Sequence, residues 1–136
     1  MRIFPGFRPR DLGAREGRLK PAPRKPNGVA SQADPATDAA HYIAPLRCNG
    51  DPTGTWSRLV RLVGTLPGAE IVSQRDGYLH AECSSRLLGF VDDLECLLDR
   101  EADAIHVRSA ARLGVRDLGV NRARIESLRT QLAIGP

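Results

Sequence analysis

Two acidic and two basic residues are spaced along the second half of the chain so that they could hold a charged ligand. Asp93 and Glu95 lie two residues apart, and Arg108 and Arg112 follow in the next apolar segment. If both segments are strands with their apolar residues on one face, Glu95 or Asp93 lies opposite Arg108. This pairing indicates an anion-binding or acid/base site on a sheet. The alternative is an ordinary cross-strand ion pair on a solvated face, worth under about 1 kcal/mol.

Asp92 is a separate candidate because it shares a predicted inward face with Phe90 and Leu94. A lone carboxylate there is costly without hydrogen-bond donors, and Ser109, a backbone amide or an arginine from the following loop could supply them. Asp92 is then either an anchor for that loop or a partly buried acid/base group with a shifted pKa.

Six arginines occur between positions 108 and 129, and Arg122 and Arg124 fall in the first turn of the predicted final helix. Cations there oppose the helix dipole, so an anion is expected nearby. It is either an internal aspartate or a ligand carboxylate or phosphate, held by amides of the loop 114–119 and the helix start. The candidate binding residues are Asp92, Asp93, Glu95, Arg108, Ser109, Arg112, Asp117, Asn121 and Arg122.

The elements that would position these residues are two helices and four strands. Apolar spacing predicts a helix over about 54–66, capped by Thr53 or Thr55, and a final helix over about 122–133, capped by Asn121. Alternation and turn residues predict strands over 69–75, 78–84, 88–98 and 104–112, the first two joined at Asp76-Gly77.

Short connections between these strands predict an α+β fold, a four-stranded antiparallel meander in the order α-β-β-β-β-α with both helices on one face. The other face is expected to be open and unusually polar. Its candidate residues are Tyr78, His80, Glu82, Asp93, Glu95, His106, Arg108 and Arg112.

Charge divides the 136-residue chain into two parts. Residues 1–26 carry eight basic and two acidic groups, or +6, and their prolines predict a flexible basic tail. Residues 27–136 carry 12 basic and 14 acidic groups, or −2, and fit a single domain. A folded part with no excess positive charge argues against sequence-independent nucleic-acid binding.

Several kinds of site lack their signatures. Cys48, Cys83 and Cys96 form no CxxC pair, and the histidines show no ligand spacing, so neither a metal nor a cofactor is expected. No phosphate-loop, dinucleotide or nucleophile-elbow motif occurs. No transmembrane stretch or secretory signal is visible, which predicts a soluble cytoplasmic protein of undetermined oligomeric state.

Four segments resemble an uncharacterised family of bacteria and plants, domain of unknown function 1499. The segments are 26–31, 41–46, 90–95 and the long run 106–122. The resemblance implies one small domain, often exported or membrane-attached, and it implies no activity, substrate or cofactor. Members usually carry Asn-Cys-Val-Ser-Ser where this chain has Gly28 and Ala30, which argues against a thiol-based role here.

Three functions fit these patterns. The first is a binding module for a small anionic ligand or an acidic protein segment. The second is an enzyme that uses Asp92 or Asp93 with Arg108 or Arg112, although missing nucleophile and metal signatures argue against it. The third is a structural or interaction protein whose basic tail contacts acidic partners or a membrane surface.

Overall fold

A computed structural model describes residues 5–85 and 89–134 as eight elements around one sheet. In chain order they are β1 (Gly28–Ala30), β2 (Leu46–Arg47), α1 (Pro52–Thr65), β3 (Ala69–Arg75), β4 (Tyr78–Ser84), β5 (Val91–Asp99), β6 (Ala104–Ala111) and α2 (Val120–Ile134). The prediction of a strand start at Leu88 lies outside the described residues. Neither helix within the described ranges is long and apolar enough to cross a membrane.

The sheet confirms the α+β class and corrects the number and order of its elements. Strands β3 to β6 form the predicted antiparallel meander, but β1 and β2 both pair with the far side of β6, which makes six strands in the order β-β-α-β-β-β-β-α. The prediction of four strands in the order α-β-β-β-β-α is therefore wrong. Strands of three and two residues are too short to show alternation in a sequence.

The hairpin between β3 and β4 has the predicted bounds, and Gly77 takes a φ of +76° at its turn. The predicted cap of the first helix is wrong. Asp51 caps α1 by accepting a 3.0 Å hydrogen bond from the Gly54 amide, whereas the Thr55 hydroxyl is buried and donates to the carbonyl of Cys48.

The start of α2 also differs from the prediction. The helix begins at Val120, and the Asp117 carboxylate accepts hydrogen bonds from the amides of Gly119 and Asn121. Asn121 is fully buried inside the first turn and is not the cap.

Both helices pack against one face of the sheet, as predicted. The apolar stripe of α1 includes Leu59 and Val63, and that of α2 includes Ile125 and Leu128. All three cysteines are buried with free thiols, and each belongs to this core.

The opposite face of the sheet is polar, as predicted, but it is not open. Residues 5–26, here called the covering segment, lie over it, and His80, Glu82, Asp93, Glu95 and Arg108 are each less than 5% exposed. The division of the chain at residue 26 stays a prediction. The covering segment nevertheless contacts the sheet directly.

Candidate functional site

A cleft of about 310 Å³ opens where β5 begins, β6 ends and α2 starts. Three large apolar side chains that are 40–49% exposed, Phe90, Leu113 and Val120, line its walls. These residues remain partly in water because the chain turns away from the core at the edge of the sheet. The cleft is therefore an apolar recess that is accessible from outside.

The floor of the cleft is an ion pair between Asp92 and Arg124. An Arg124 Nη2 atom donates to Asp92 Oδ2 at 2.8 Å, and the two side chains are 14% and 15% exposed. The other Nη atom of Arg124 donates to Ser109 Oγ and Asn121 Oδ1, which are joined by a 2.6 Å hydrogen bond. Arg124 thus connects strand β5, strand β6 and helix α2.

Burial raises the pKa of Asp92 above its usual value, although the charge of Arg124 acts in the opposite direction. Asp117 beside it has the reverse shift. Burial opposes ionisation of Asp117, but bonds from the Asn121 side chain and from backbone amides outweigh it and lower its pKa. Asp117 is therefore the internal anion at the start of α2.

Arg116 lies on the rim of the cleft and is exposed. No hydrogen bond or ion pair joins it to the residues within the described ranges. It is therefore a positive charge available to a molecule in the cleft.

A second polar site lies under the covering segment on the other face of the sheet. This covered polar network consists of Tyr78, His80, Glu82, Asp93, Glu95, Arg108 and Arg112. Its central group is Arg112, whose Nε donates to Asp93 Oδ2 at 2.8 Å and whose Nη2 donates to both Asp93 and Glu82. His80 Nε2 lies 2.7 Å from Asp93 Oδ1.

These bonds set the charge states of the central pair. Burial opposes ionisation of Asp93, but the hydrogen bonds from Arg112 and His80 outweigh it and lower the pKa of Asp93. The bond to Asp93 in turn raises the pKa of Arg112. Both groups are therefore charged over the physiological pH range.

Glu95 and Arg108 face each other across β5 and β6, as the alternation predicts. Glu95 Oε2 accepts from the Tyr78 hydroxyl at 2.6 Å and from the Gly13 amide at 2.8 Å, while its buried Oε1 has no hydrogen-bond partner in the described part of the chain. Arg108 Nε donates to the Pro21 carbonyl at 3.0 Å. Burial lowers the pKa of Arg108, although Glu95 and Asp93 both act to raise it.

The predicted binding residues thus divide between the two faces. Asp92, Ser109, Asp117 and Asn121 lie at or beneath the cleft, whereas Asp93, Glu95, Arg108 and Arg112 lie in the covered polar network. Arg122 belongs to neither, because it donates to the backbone carbonyls of Ala40 and Tyr42. The expected gathering of Arg108, Arg112 and Arg122 around one anion is not formed.

Sequence reasoning did not name Arg124, His80 or Glu82 among the binding residues. Strand alternation does place His80 and Glu82 on the same face as Asp93, so a signal for them existed. A ring nitrogen of His80 and one carboxylate oxygen each of Glu82 and Asp93 lie within 4.8 Å of one another, a spacing that could hold a metal ion. Two arginines already supply the positive charge that a metal ion would bring, because Arg112 bonds both carboxylates and Arg8 donates to Glu82.

A family model described as "Protein of unknown function (DUF1499)" matches residues 18–132. The chain belongs to the DUF1499 family. No curated protein and no solved structure shows significant similarity to it.

The DUF1499 match includes the whole of the cleft and all seven residues of the covered polar network. Residues 5–17 of the covering segment, with Arg8 and Gly13, lie before the matched range. The buried charges are thus within the family region, and within the described residues Arg8 and Gly13 contact them from outside it.

Proposed function

We propose that this DUF1499 domain binds a small amphipathic molecule that carries a carboxylate or phosphate group, and that the cleft is the binding site. The observation that supports this most strongly is the combination, in one recess of about 310 Å³, of exposed apolar walls with arginine side chains. Small-molecule sites generally combine apolar walls with a few polar groups that fix orientation.

The charged end of the ligand is assigned by the arginines that line the cleft. Arg116 has no bonded partner in the described residues, and Arg124 is held rigidly by Asp92, Ser109 and Asn121. Arg108 and Arg112 are excluded from this role because they lie on the other face of the sheet. The anion therefore binds at Arg116, because the charge of Arg124 is compensated by Asp92.

The apolar end of the ligand packs on Leu113, Val120 and Phe90. Covering one such side chain is worth on the order of 1 kcal/mol, because about half of its surface is already buried. The same contact is unavailable to inorganic phosphate, so aromatic anions should bind more tightly than simple ones.

The test is a titration of isotope-labelled protein with phenyl phosphate and phenylacetate, followed by backbone amide chemical shifts. Both probes should shift resonances of residues 111–124, whereas phenethylamine, which has a ring and a positive charge, should not. Arg116→Gln should weaken phenyl phosphate binding about fivefold, the loss expected for one hydrogen bond of about 1 kcal/mol.

Arg61→Gln is the matched control, because Arg61 is also exposed but lies on α1 away from the cleft. Equal loss in both variants would mean that only general surface charge attracts the probe. Absence of shifts in 111–124 with either anion would refute the proposal.

A second candidate function is an enzyme that uses Asp92 as an acid/base group. It is favoured by the position of Asp92 on the floor of the cleft and by the burial that raises its pKa. Hydrolysis of p-nitrophenyl acetate and p-nitrophenyl phosphate should then exceed the buffer rate and be lost in Asp92→Asn. Equal rates for the two proteins would count against this candidate.

A further inference from the structure

We infer that the covered polar network is a binding groove for an arginine-containing peptide of a partner protein, and that the chain's own residues 5–22 occupy the groove in the partner's absence. This site is separate from the cleft, since the two lie on opposite faces of the sheet. It would take a macromolecular ligand instead of a small anion.

The first support is the charge balance of the network. Glu82, Asp93 and Glu95 are three buried carboxylates, Arg108 and Arg112 supply two positive charges, and His80 beside Asp93 supplies a third only when it is protonated. Buried ion clusters are stable only when each charge is compensated. Within the described residues the covering segment adds a further positive charge, because Arg8 Nε donates to Glu82 Oε2 at 2.6 Å.

The second support is that the groove also binds peptide backbone. The Gly13 amide donates to Glu95, and Arg108 donates to the carbonyl of Pro21. A guanidinium at one end, with an N–H and a C=O on either side of a tight turn at residues 15–18, describes an arginine-containing peptide that doubles back on itself. Small cations or amines would leave the two backbone partners unused.

The third support is that the occupant buries few of its side chains. Leu19 is the one buried residue between positions 5 and 26, and no helix or named strand occurs there. The side chain of Arg8 is 54% exposed, whereas that of Glu82 is 3% exposed. Segments with few buried contacts open at low cost in free energy, so a competing peptide can replace this one.

The fourth support is Glu95 Oε1, a fully buried carboxylate oxygen with no partner among the described residues. An acceptor in this position normally has a donor, because desolvating it is costly. The covering segment satisfies only Oε2. A peptide that fits the groove better would provide a donor to Oε1 as well.

The test uses a fluorescent synthetic peptide with the sequence of residues 5–22, added in trans to the full chain and followed by anisotropy. In the wild-type protein the covering segment competes at high effective concentration, so binding should be weak. Arg8→Ala removes the bond to Glu82 in cis and should tighten peptide binding about threefold or more. Arg10→Ala is the matched control, because Arg10 is exposed and has no bonded partner in the described chain.

The groove itself is tested by adding Glu82→Gln to the Arg8→Ala protein, which should remove the gain in affinity. Replacing the arginine of the peptide that corresponds to Arg8 should have the same effect. Circular dichroism establishes that each variant is folded. Equal affinity of the Arg8→Ala and Arg10→Ala proteins would overturn the inference.

Sedimentation of the Arg8→Ala protein provides an independent readout. A monomer is expected, because the partner is a different chain. A stable dimer formed by exchange of covering segments would overturn the assignment of a separate partner.

Discussion

At the scale of single residues, Arg112 is the charged group that joins two carboxylates of the covered polar network. Its side chain is 5% exposed and bonds two carboxylates that are each 3% exposed. Removing one partner of a buried ion pair leaves an uncompensated charge, which typically costs 3–5 kcal/mol. Arg112→Met should therefore lower the free energy of unfolding by about 3–5 kcal/mol in urea denaturation.

Arg116→Met is the comparison for that measurement, because Arg116 is exposed and unbonded within the described residues. Its free energy of unfolding should change by less than about 0.5 kcal/mol. Similar values for the two variants would show that the ion pairs of Arg112 do not stabilise the fold.

The shifted pKa of Asp92 predicts how stability depends on pH. Because burial raises the folded-state pKa above the unfolded value, folding favours the protonated form, and this stability is lost as pH rises through the folded pKa. Asp92→Asn cannot ionise at this position, so its stability does not fall in this way as pH rises. The stability of the wild type relative to Asp92→Asn should thus fall between pH 4 and neutral pH, as measured by urea unfolding at several pH values.

Asp99 supplies the control of opposite sign. Its hydrogen bonds, first from the Ala102 amide and then from His106, lower its pKa, so its contribution is present above the unfolded pKa and is lost as pH falls through the folded value. The stability of the wild type relative to Asp99→Asn should fall toward acid pH. The same direction for both variants would contradict these assignments.

At the scale of elements, β1 is held against β6 by a close backbone approach that only glycine allows. A Cβ atom on Gly28 would lie 2.7 Å from Ala110 Cβ and 2.9 Å from the Ser109 carbonyl oxygen. Overpacking of this kind typically costs about 1–3 kcal/mol. Gly28→Ala should lower the thermal unfolding midpoint, as followed by circular dichroism.

The control is Gly64→Ala in α1, where the new Cβ meets only Ile71 Cδ1 at 3.9 Å. Alanine is favoured over glycine within a helix by about 1 kcal/mol, so this variant should be more stable than the wild type. A Gly28→Ala protein with unchanged stability would mean that β1 moves away from β6 at little cost.

The elements differ in how well their sequences predict them. The hairpin of β3 and β4 follows from Asp76-Gly77 and alternation, and the helices follow from their apolar stripes. Strands β1 and β2 escape prediction because β6 supplies all their partners, so pairing and not local pattern defines them. Strand alternation predicts the polar face. It does not predict that this face is buried, because the covering contacts come from residues 74–87 positions away along the chain.

The sites are only partly predictable as well, because long arginine side chains reach partners that are far away in the sequence. The position of Asp92 on the helix-packed face and the pairing of Glu95 with Arg108 follow from strand register. Strand register does not predict the partner of Asp92, because Arg124 lies 32 positions further along the chain, inside α2. The Asp117 carboxylate lies at the helix start and binds amides there, whereas Arg122 donates to backbone carbonyls before β2.

At the scale of the whole molecule, the two faces of one sheet separate two kinds of chemistry. The helix-packed face has an apolar core that ends in the cleft, and the other face has the charged network beneath the covering segment. The covering segment, with seven basic and two acidic groups, therefore lies over a face that contains the buried carboxylates of Glu82, Asp93 and Glu95. Part of that charge serves within the chain and is not available to outside partners while the segment is bound.

This arrangement predicts that the covering segment opens independently of the sheet. Hydrogen exchange followed by mass spectrometry should show faster exchange for residues 5–17 than for β5, whose amides are bonded within the sheet. Raising salt from about 0.05 to 0.5 M should further accelerate exchange in residues 5–17, because the half-exposed Arg8–Glu82 pair is screened. Exchange in β5 should not change, since its ion pairs are buried. Equal protection of the two regions at both salt concentrations would mean that the segment is a fixed part of the fold and cannot exchange with a partner peptide.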